Sequence, residues 1–142
     1  MNLLAKIKSC FAGAPEPEHL RHGKLGERAA KKFLRRAGLK FLAANFRTSR
    51  GETDLIFREA DCLVFVEVKT RSSEDWTRPA AAVNAERRRR LTHCALDYLR
   101  LLKNPTVKIR FDIVEVLLTG DTIREIRHLP NTFPMTPPHR YG

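Results

Sequence analysis

Residues 62–70 read Cys-Leu-Val-Phe-Val-Glu-Val-Lys-Thr, and Cys62 to Val66 is the longest unbroken apolar run in the chain. A strand apolar on both faces belongs in the middle of a sheet, with other elements layered above and below it. Two helical patterns can supply those layers. Leu25, Ala29, Phe33 and Ala37 recur every four residues, with Leu34 alongside, in a predicted helix from Leu20 to Ala37 that Gly38 would end in a left-handed turn. A second helix follows Asn84, a capping residue, with Leu91, Ala95, Tyr98, Leu99 and Leu102 on its apolar side and Pro105 closing it. Further strands are predicted at Leu39–Phe46, Glu52–Arg58 and Val107–Leu118, with a short last one at Thr122–Arg127 after a turn at Gly120–Asp121. The order αβββαββ defines an α/β domain with a mixed sheet over residues 20–127. Pro15 and Pro17 cut short any helix on Leu3, Leu4, Ile7 and Phe11, so residues 1–19 are expected to be a flexible N-terminal extension. Residues 128–142, with Pro130, Pro134, Pro137 and Pro138, are expected to be an irregular Pro-rich tail.

Charge narrows the function. The chain has 142 residues, room for one domain, and carries 27 Lys and Arg against 16 Asp and Glu, a formal net charge of +11. Such a balance points to an anionic partner, nucleic acid first and an anionic membrane surface second. The charge is also segregated. Residues 20–50 hold ten Lys or Arg and one acid, Glu27; residues 51–69 are net acidic; residues 84–103 turn basic again with Arg87-Arg88-Arg89-Arg90. No apolar run approaches the roughly 18 residues of a spanning helix, and Lys6 and Lys8 interrupt any signal-peptide core. The membrane-surface reading, which would use residues 1–11, is weak because the basic charge lies mostly in residues 20–50 and 84–103. Cys10, Cys62 and Cys94 are odd in number, widely spaced and without a CxxC pair, which fits a reduced, cytoplasmic compartment.

The acidic island holds the chemistry. Glu67 and Lys69 are two apart on one strand and share a face, as Arg71 does if the strand continues. If the strands 52–58 and 62–70 form a hairpin centred between Ala60 and Asp61, opposed residues sum to 121 and Asp54 lies across from Glu67. Ala60 suits positive φ poorly, so a four-residue loop is favoured over a type I′ turn, with the register unchanged. Two carboxylates about 5 Å apart repel and call for a cation between them. Mg²⁺ or Mn²⁺ suits hard oxygen ligands, and Lys69 could then steady charge developing on a phosphate. A plainer arrangement uses the same residues: Glu67 and Lys69 as a surface pair, or Asp54 salt-bridged to Lys69.

Asp54 followed by Glu67-Val68-Lys69 at the end of a hydrophobic strand resembles the PD-(D/E)xK nuclease motif. Together with Gly26-Glu27, Asn45-Phe46-Arg47, Gly51-Glu52-Thr53-Asp54-Leu55-Ile56, Thr70-Arg71 and Arg110-Phe111-Asp112, it resembles the YraN family of uncharacterised small bacterial proteins, themselves similar to archaeal Holliday-junction resolvases. The resemblance covers residues 20–127. It implies a restriction-endonuclease-like αβββαβ core with helices flanking a mixed central sheet, and a metal-dependent endonuclease acting on branched or structured DNA, with a homodimer as the working unit. It assigns the metal to Asp54, Glu67 and the Val68 carbonyl, catalysis to Lys69, and a supporting role to Glu27, which would reach the metal through water or help place the substrate. Thr53 stands where the motif has proline. No small-molecule cofactor is implied.

The remaining candidates are weaker. Arg71 and Arg87, Arg88, Arg89 and Arg90 could contact a nucleic-acid backbone, or form a solvated helix face. Glu52 shares parity with Asp54 and could support the site from outside. His19 and His22 have helical metal spacing but no third ligand nearby, so solvent exposure is expected; His93 and Cys94 read as structural. Trp76 could stack on a base or pack beneath its loop. The rival to the nuclease is a catalytically silent nucleic-acid-binding module of a larger DNA-processing assembly.

Overall fold

The computed structural model describes residues 13–72 and 83–141. In chain order these form α1 (Glu18–Arg36), β1 (Lys40–Thr48), β2 (Gly51–Glu59), β3 (Cys62–Ser72), α2 (Ala85–Leu101), β4 (Lys108–Thr119) and β5 (Thr122–Phe133). The five strands make one sheet in the order β1-β2-β3-β4-β5, parallel between β3 and β4 and antiparallel elsewhere. The doubly apolar strand β3 is therefore central. Leu55, Phe57, Val64 and Val66 pack with Ala29, Ala30 and Leu34 of α1. On the opposite face Ile56, Leu63 and Phe65 pack with Leu91, Ala95 and Leu99 of α2. This is the expected restriction-endonuclease-like α/β arrangement, with β5 added at the edge.

The β2–β3 hairpin has the expected register: Leu55 faces Val66, Ile56 faces Phe65 and Glu59 faces Cys62, each pair summing to 121. The four-residue loop is overturned. Glu59 and Cys62 still pair, so Ala60 and Asp61 alone make the turn, with Ala60 at φ 50. Left-handed alanine costs about 1 kcal/mol, which the apolar ladder behind it outweighs. Arg58 Nε also donates to the Ala60 carbonyl at 2.8 Å, and Lys108 N–H donates to the Asp61 carbonyl at 3.0 Å.

Helix α1 ends as expected, with Gly38 at φ 99 donating to the Arg35 carbonyl and Leu39 to the Leu34 carbonyl. Its buried face is Gly26, Ala29, Ala30 and Leu34, while Phe33 and Ala37 are exposed. A strict four-residue spacing drifts by about 40° per step on a helix of 3.6 residues per turn, so the end of that series rotates off the sheet. Asn84 caps α2 by accepting from the Arg87 N–H at 2.8 Å, and Leu102 lies exposed beyond the last turn.

The last strand is longer than expected. It runs to Phe133 rather than ending at Arg127. Pro130 is tolerated because β5 is an edge strand, where a missing N–H need not break a ladder. Met135 and Tyr141 pack against the α2-side core, Thr136 N–H donates to Thr92 Oγ1 at 3.1 Å, and Tyr141 OH donates to the Pro105 carbonyl. Leu3, Leu4, Ile7, Phe11, Cys10 and Trp76 lie outside the described residues; Cys62 and Cys94 are free thiols. No helix among the described residues is long and apolar enough to cross a membrane.

Candidate metal centre

The hairpin opens where the acids begin. The paired register of β2 and β3 ends at Leu55 and Val66, one step short of Asp54 and Glu67. There Asp54 Oδ2 accepts from the Val68 N–H at 2.7 Å, and Thr53 Oγ1 donates to the Val66 carbonyl at 3.3 Å. The Asp54 side chain thus fastens the splayed strands and is held beside the end of β3.

Alternation along β3 carries Glu67 to the α2 side with Leu63 and Phe65. Glu67 is only 7% exposed. Its Oε1 accepts from Arg87 Nη2 at 2.7 Å and Nε at 3.0 Å. Its Oε2 is buried with no hydrogen-bond partner among the described residues. Burial and the neighbouring Asp54 push the Glu67 carboxyl up to about 7, with Arg87 pulling the other way. Burial likewise raises Asp54, against the Val68 N–H, the Arg87 charge and the adjoining Glu67 carboxyl. Two such carboxyls titrate as a pair that resists carrying two negative charges.

Glu27 approaches from the other helix. A Cβ at Gly26 would sit 1.8 Å from Thr70 Oγ1, so glycine lets α1 lie close against β3. Burial raises the Glu27 carboxyl, Asp54 adds to the rise, and the Asn45 side-chain amide lowers it. Asn45 holds φ 51 inside β1, a conformation asparagine tolerates. Its role at the site was not read from the sequence, although it stands in the Asn45-Phe46-Arg47 run already singled out.

Lys69 makes no ion pair among the described residues, so neither plainer salt-bridge arrangement is formed. Burial, then Arg71, lowers its ammonium pKa. The arginine run divides. Arg87 turns inward to Glu67, and Arg88 donates to the Val83 carbonyl at 2.9 Å and lies over the Phe133 ring. Arg89 and Arg90 are exposed. Gly51 holds this end of α2 close, because a Cβ there would lie 2.2 Å from the Arg90 carbonyl. Glu52 sits outside Arg87, 3.6 Å from its Nη1 and 3.1 Å from Arg47 Nε. Arg71 lines a groove beside α1 with His19, His22, Glu27 and Val68. His22 is tied to Asp121 at 2.9 Å, rather than standing free in solvent.

The donor set suits a hard divalent ion in one respect: two carboxyls adjoin, and one oxygen is buried without a partner among the described residues. Among the described residues no group of three His, Cys, Asp or Glu side chains gathers as a metal site. Protein side chains would therefore supply two anionic ligands, leaving backbone oxygen and water for the rest.

The family model described as Uncharacterised protein family UPF0102 matches residues 26–116, which span the site from Glu27 through Arg87. Curated relatives extend the match. A UPF0102 protein of Solibacter usitatus is 46% identical over 99 residues, 68% of this chain and 75% of that protein. One of Nocardia farcinica is 43% identical over 111 residues, 78% of this chain and 87% of that protein. One of Symbiobacterium thermophilum is 42% identical over 113 residues, 80% of this chain and 96% of that protein.

Proposed function

This chain belongs to the uncharacterised protein family UPF0102, the YraN family, and because that name assigns no activity we propose one from the site: a metal-dependent nuclease that hydrolyses DNA phosphodiester bonds, with branched or structured DNA as the favoured substrate. The observation that carries the reading is the buried Oε2 of Glu67, which has no hydrogen-bond partner among the described residues and is set beside Asp54 at the end of the central strand. Leaving a buried acceptor unsatisfied costs about 1–3 kcal/mol, a cost that a bound cation would remove.

Asp54, Glu67 and the Val68 carbonyl would hold Mg²⁺ or Mn²⁺. Bound there, the ion would lower the pKa of an attacking water and polarise the phosphate. Lys69, on the same face and without an ion pair among the described residues, is free to donate to a phosphate oxygen as charge builds on it. Glu27 would orient water at the α1 side. Arg71, Arg89 and Arg90 would grip backbone phosphates on either side, and a homodimer would present two such sites to a branched substrate. A second reading has its own observation. With Arg87 already neutralising Glu67 and no third side-chain ligand among the described residues, the fold could act as a catalytically silent binding module.

Cleavage of labelled duplex, single-strand, flap and four-way-junction DNA, with Mn²⁺, Mg²⁺ or chelator, separates these readings. The nuclease cuts only with metal, and Glu67→Ala and Lys69→Ala each lower the rate at least 100-fold. Binding without cutting under every metal would leave the binding module.

A further inference from the structure

Arg87 faces two acids. Its Nε and Nη2 hold Glu67 Oε1 on the inner side, and its Nη1 lies 3.6 Å from Glu52 Oε1 on the outer side. Glu67 is buried, whereas Glu52 and Arg87 each keep about a third of their side-chain surface in solvent. The Arg87 backbone is fixed independently by its N–H bond to the Asn84 side chain. The guanidinium can therefore swing between partners while the first turn of α2 stays in place. A planar, permanently charged guanidinium also suits a carboxylate better than an ammonium would.

A divalent ion on Asp54 and Glu67 Oε2 would stand a few ångströms from the guanidinium on Oε1, and the two cations would repel in a poorly solvated site. We infer that Arg87 is the resident counter-cation of the Asp54–Glu67 pair, that it competes with the divalent metal for that pair, and that loading the site shifts its guanidinium outward toward Glu52 and incoming phosphate. This rests on the metal reading above. It also explains why one Glu67 oxygen is served and the other is not: Arg87 reaches the pair from the α2 side only. Metal entry and phosphate capture would then be coupled, because the same movement vacates Oε1 and presents a guanidinium to the substrate.

The test is Mn²⁺ titration of the full chain without nucleic acid, read by electron paramagnetic resonance and by calorimetry. Arg87→Gln is expected to bind Mn²⁺ at least ten-fold more tightly than the parent, and Arg87→Lys to fall between them. Arg124→Gln, which removes the same charge from an exposed position on β5, should match the parent. Equal affinity in parent and Arg87→Gln would overturn the competition and leave the metal site standing. Weaker binding in Arg87→Gln would also overturn it, making Arg87 a support for the ligands. Absence of Mn²⁺ binding in the parent and both Arg87 variants would remove the metal reading and this inference together. Binding confined to the variants would support the inference.

Discussion

Glu67 and Asp112 are buried acids on adjacent strands, since Asp112 pairs with Val66, the residue before Glu67. They point to opposite faces of the sheet and are treated in opposite ways. Asp112 Oδ1 accepts from the Asn131 N–H at 2.9 Å and from Arg110 Nε at 3.0 Å, while Oδ2 accepts from His128 Nε2 at 2.8 Å and Arg110 Nη2 at 3.2 Å. Burial alone would raise its carboxyl, but His128, Arg110 and the Asn131 N–H together hold it below the ordinary aspartate value. Glu67 is raised to about 7 and keeps an oxygen without a partner among the described residues. One acid fastens β5 to β4; the other is left wanting a cation. Burial by itself therefore does not single out a candidate functional acid, whereas burial with incomplete satisfaction does.

The largest expected effect on stability breaks the satisfied side. Asp112→Ala would strand Arg110, His128 and the Asn131 N–H, and should destabilise the fold by about 3–5 kcal/mol in denaturant titration near neutral pH. The sign with pH follows from the depressed pKa. Asp112 contributes fully above its ordinary value of 3.8 and loses that contribution as pH falls below it. The difference between parent and Asp112→Asn should accordingly shrink in acid. A cost below about 1 kcal/mol would show that the network adds little.

Glu67→Gln is expected to act in the opposite direction. Between the ordinary value of 4.5 and about 7 the folded protein holds a proton that the unfolded chain has lost. Parent stability therefore falls as pH rises through that window and stays lower above it. Removing the charge should stabilise the fold at pH 8 by up to about 3 kcal/mol, with the gap closing toward pH 4.5, while abolishing the proposed metal-dependent cleavage. Clear destabilisation at pH 8 would mean that the Arg87 bond makes Glu67 a fastening acid like Asp112.

The contrast between these acids also shows what could be read from the sequence. Alternation and hairpin symmetry place Asp54 beside Glu67, because a turn centred between Ala60 and Asp61 makes opposed residues sum to 121 whether its loop has two residues or four. The presence of Asp112 was legible in the Arg110-Phe111-Asp112 run, but not its role. Its partners His128 and Asn131 lie in the half of β5 that Pro130 disguised as a tail. As one of four consecutive arginines, Arg87 reads as a phosphate contact, yet it stands one helical turn before Leu91 and two before Ala95, on the apolar side of α2. That spacing turns Arg87 inward to Glu67 and leaves Arg89 and Arg90 exposed. Asn45 was hidden differently: a left-handed residue within a strand leaves no apolar pattern behind.

The smallest effect sharpens the comparison most. Glu52 shares Arg87 with Glu67 but is a third exposed, and it also pairs with Arg47, which is largely in solvent. Exposed pairs of this kind contribute about 0–1 kcal/mol, so Glu52→Gln should leave stability within about 0.5 kcal/mol. If Glu67 is the principal anchor of the guanidinium, Glu52→Gln should also leave Mn²⁺ affinity within about three-fold of the parent, or weaken it slightly by removing the outward resting place. If Glu52 held Arg87 in position, its loss would change Mn²⁺ affinity as much as Arg87→Gln does. Titrating the single variants and their combination decides this: an effect of Glu52→Gln that vanishes in the Arg87→Gln background acts through the guanidinium, and one that persists belongs to Glu52 itself.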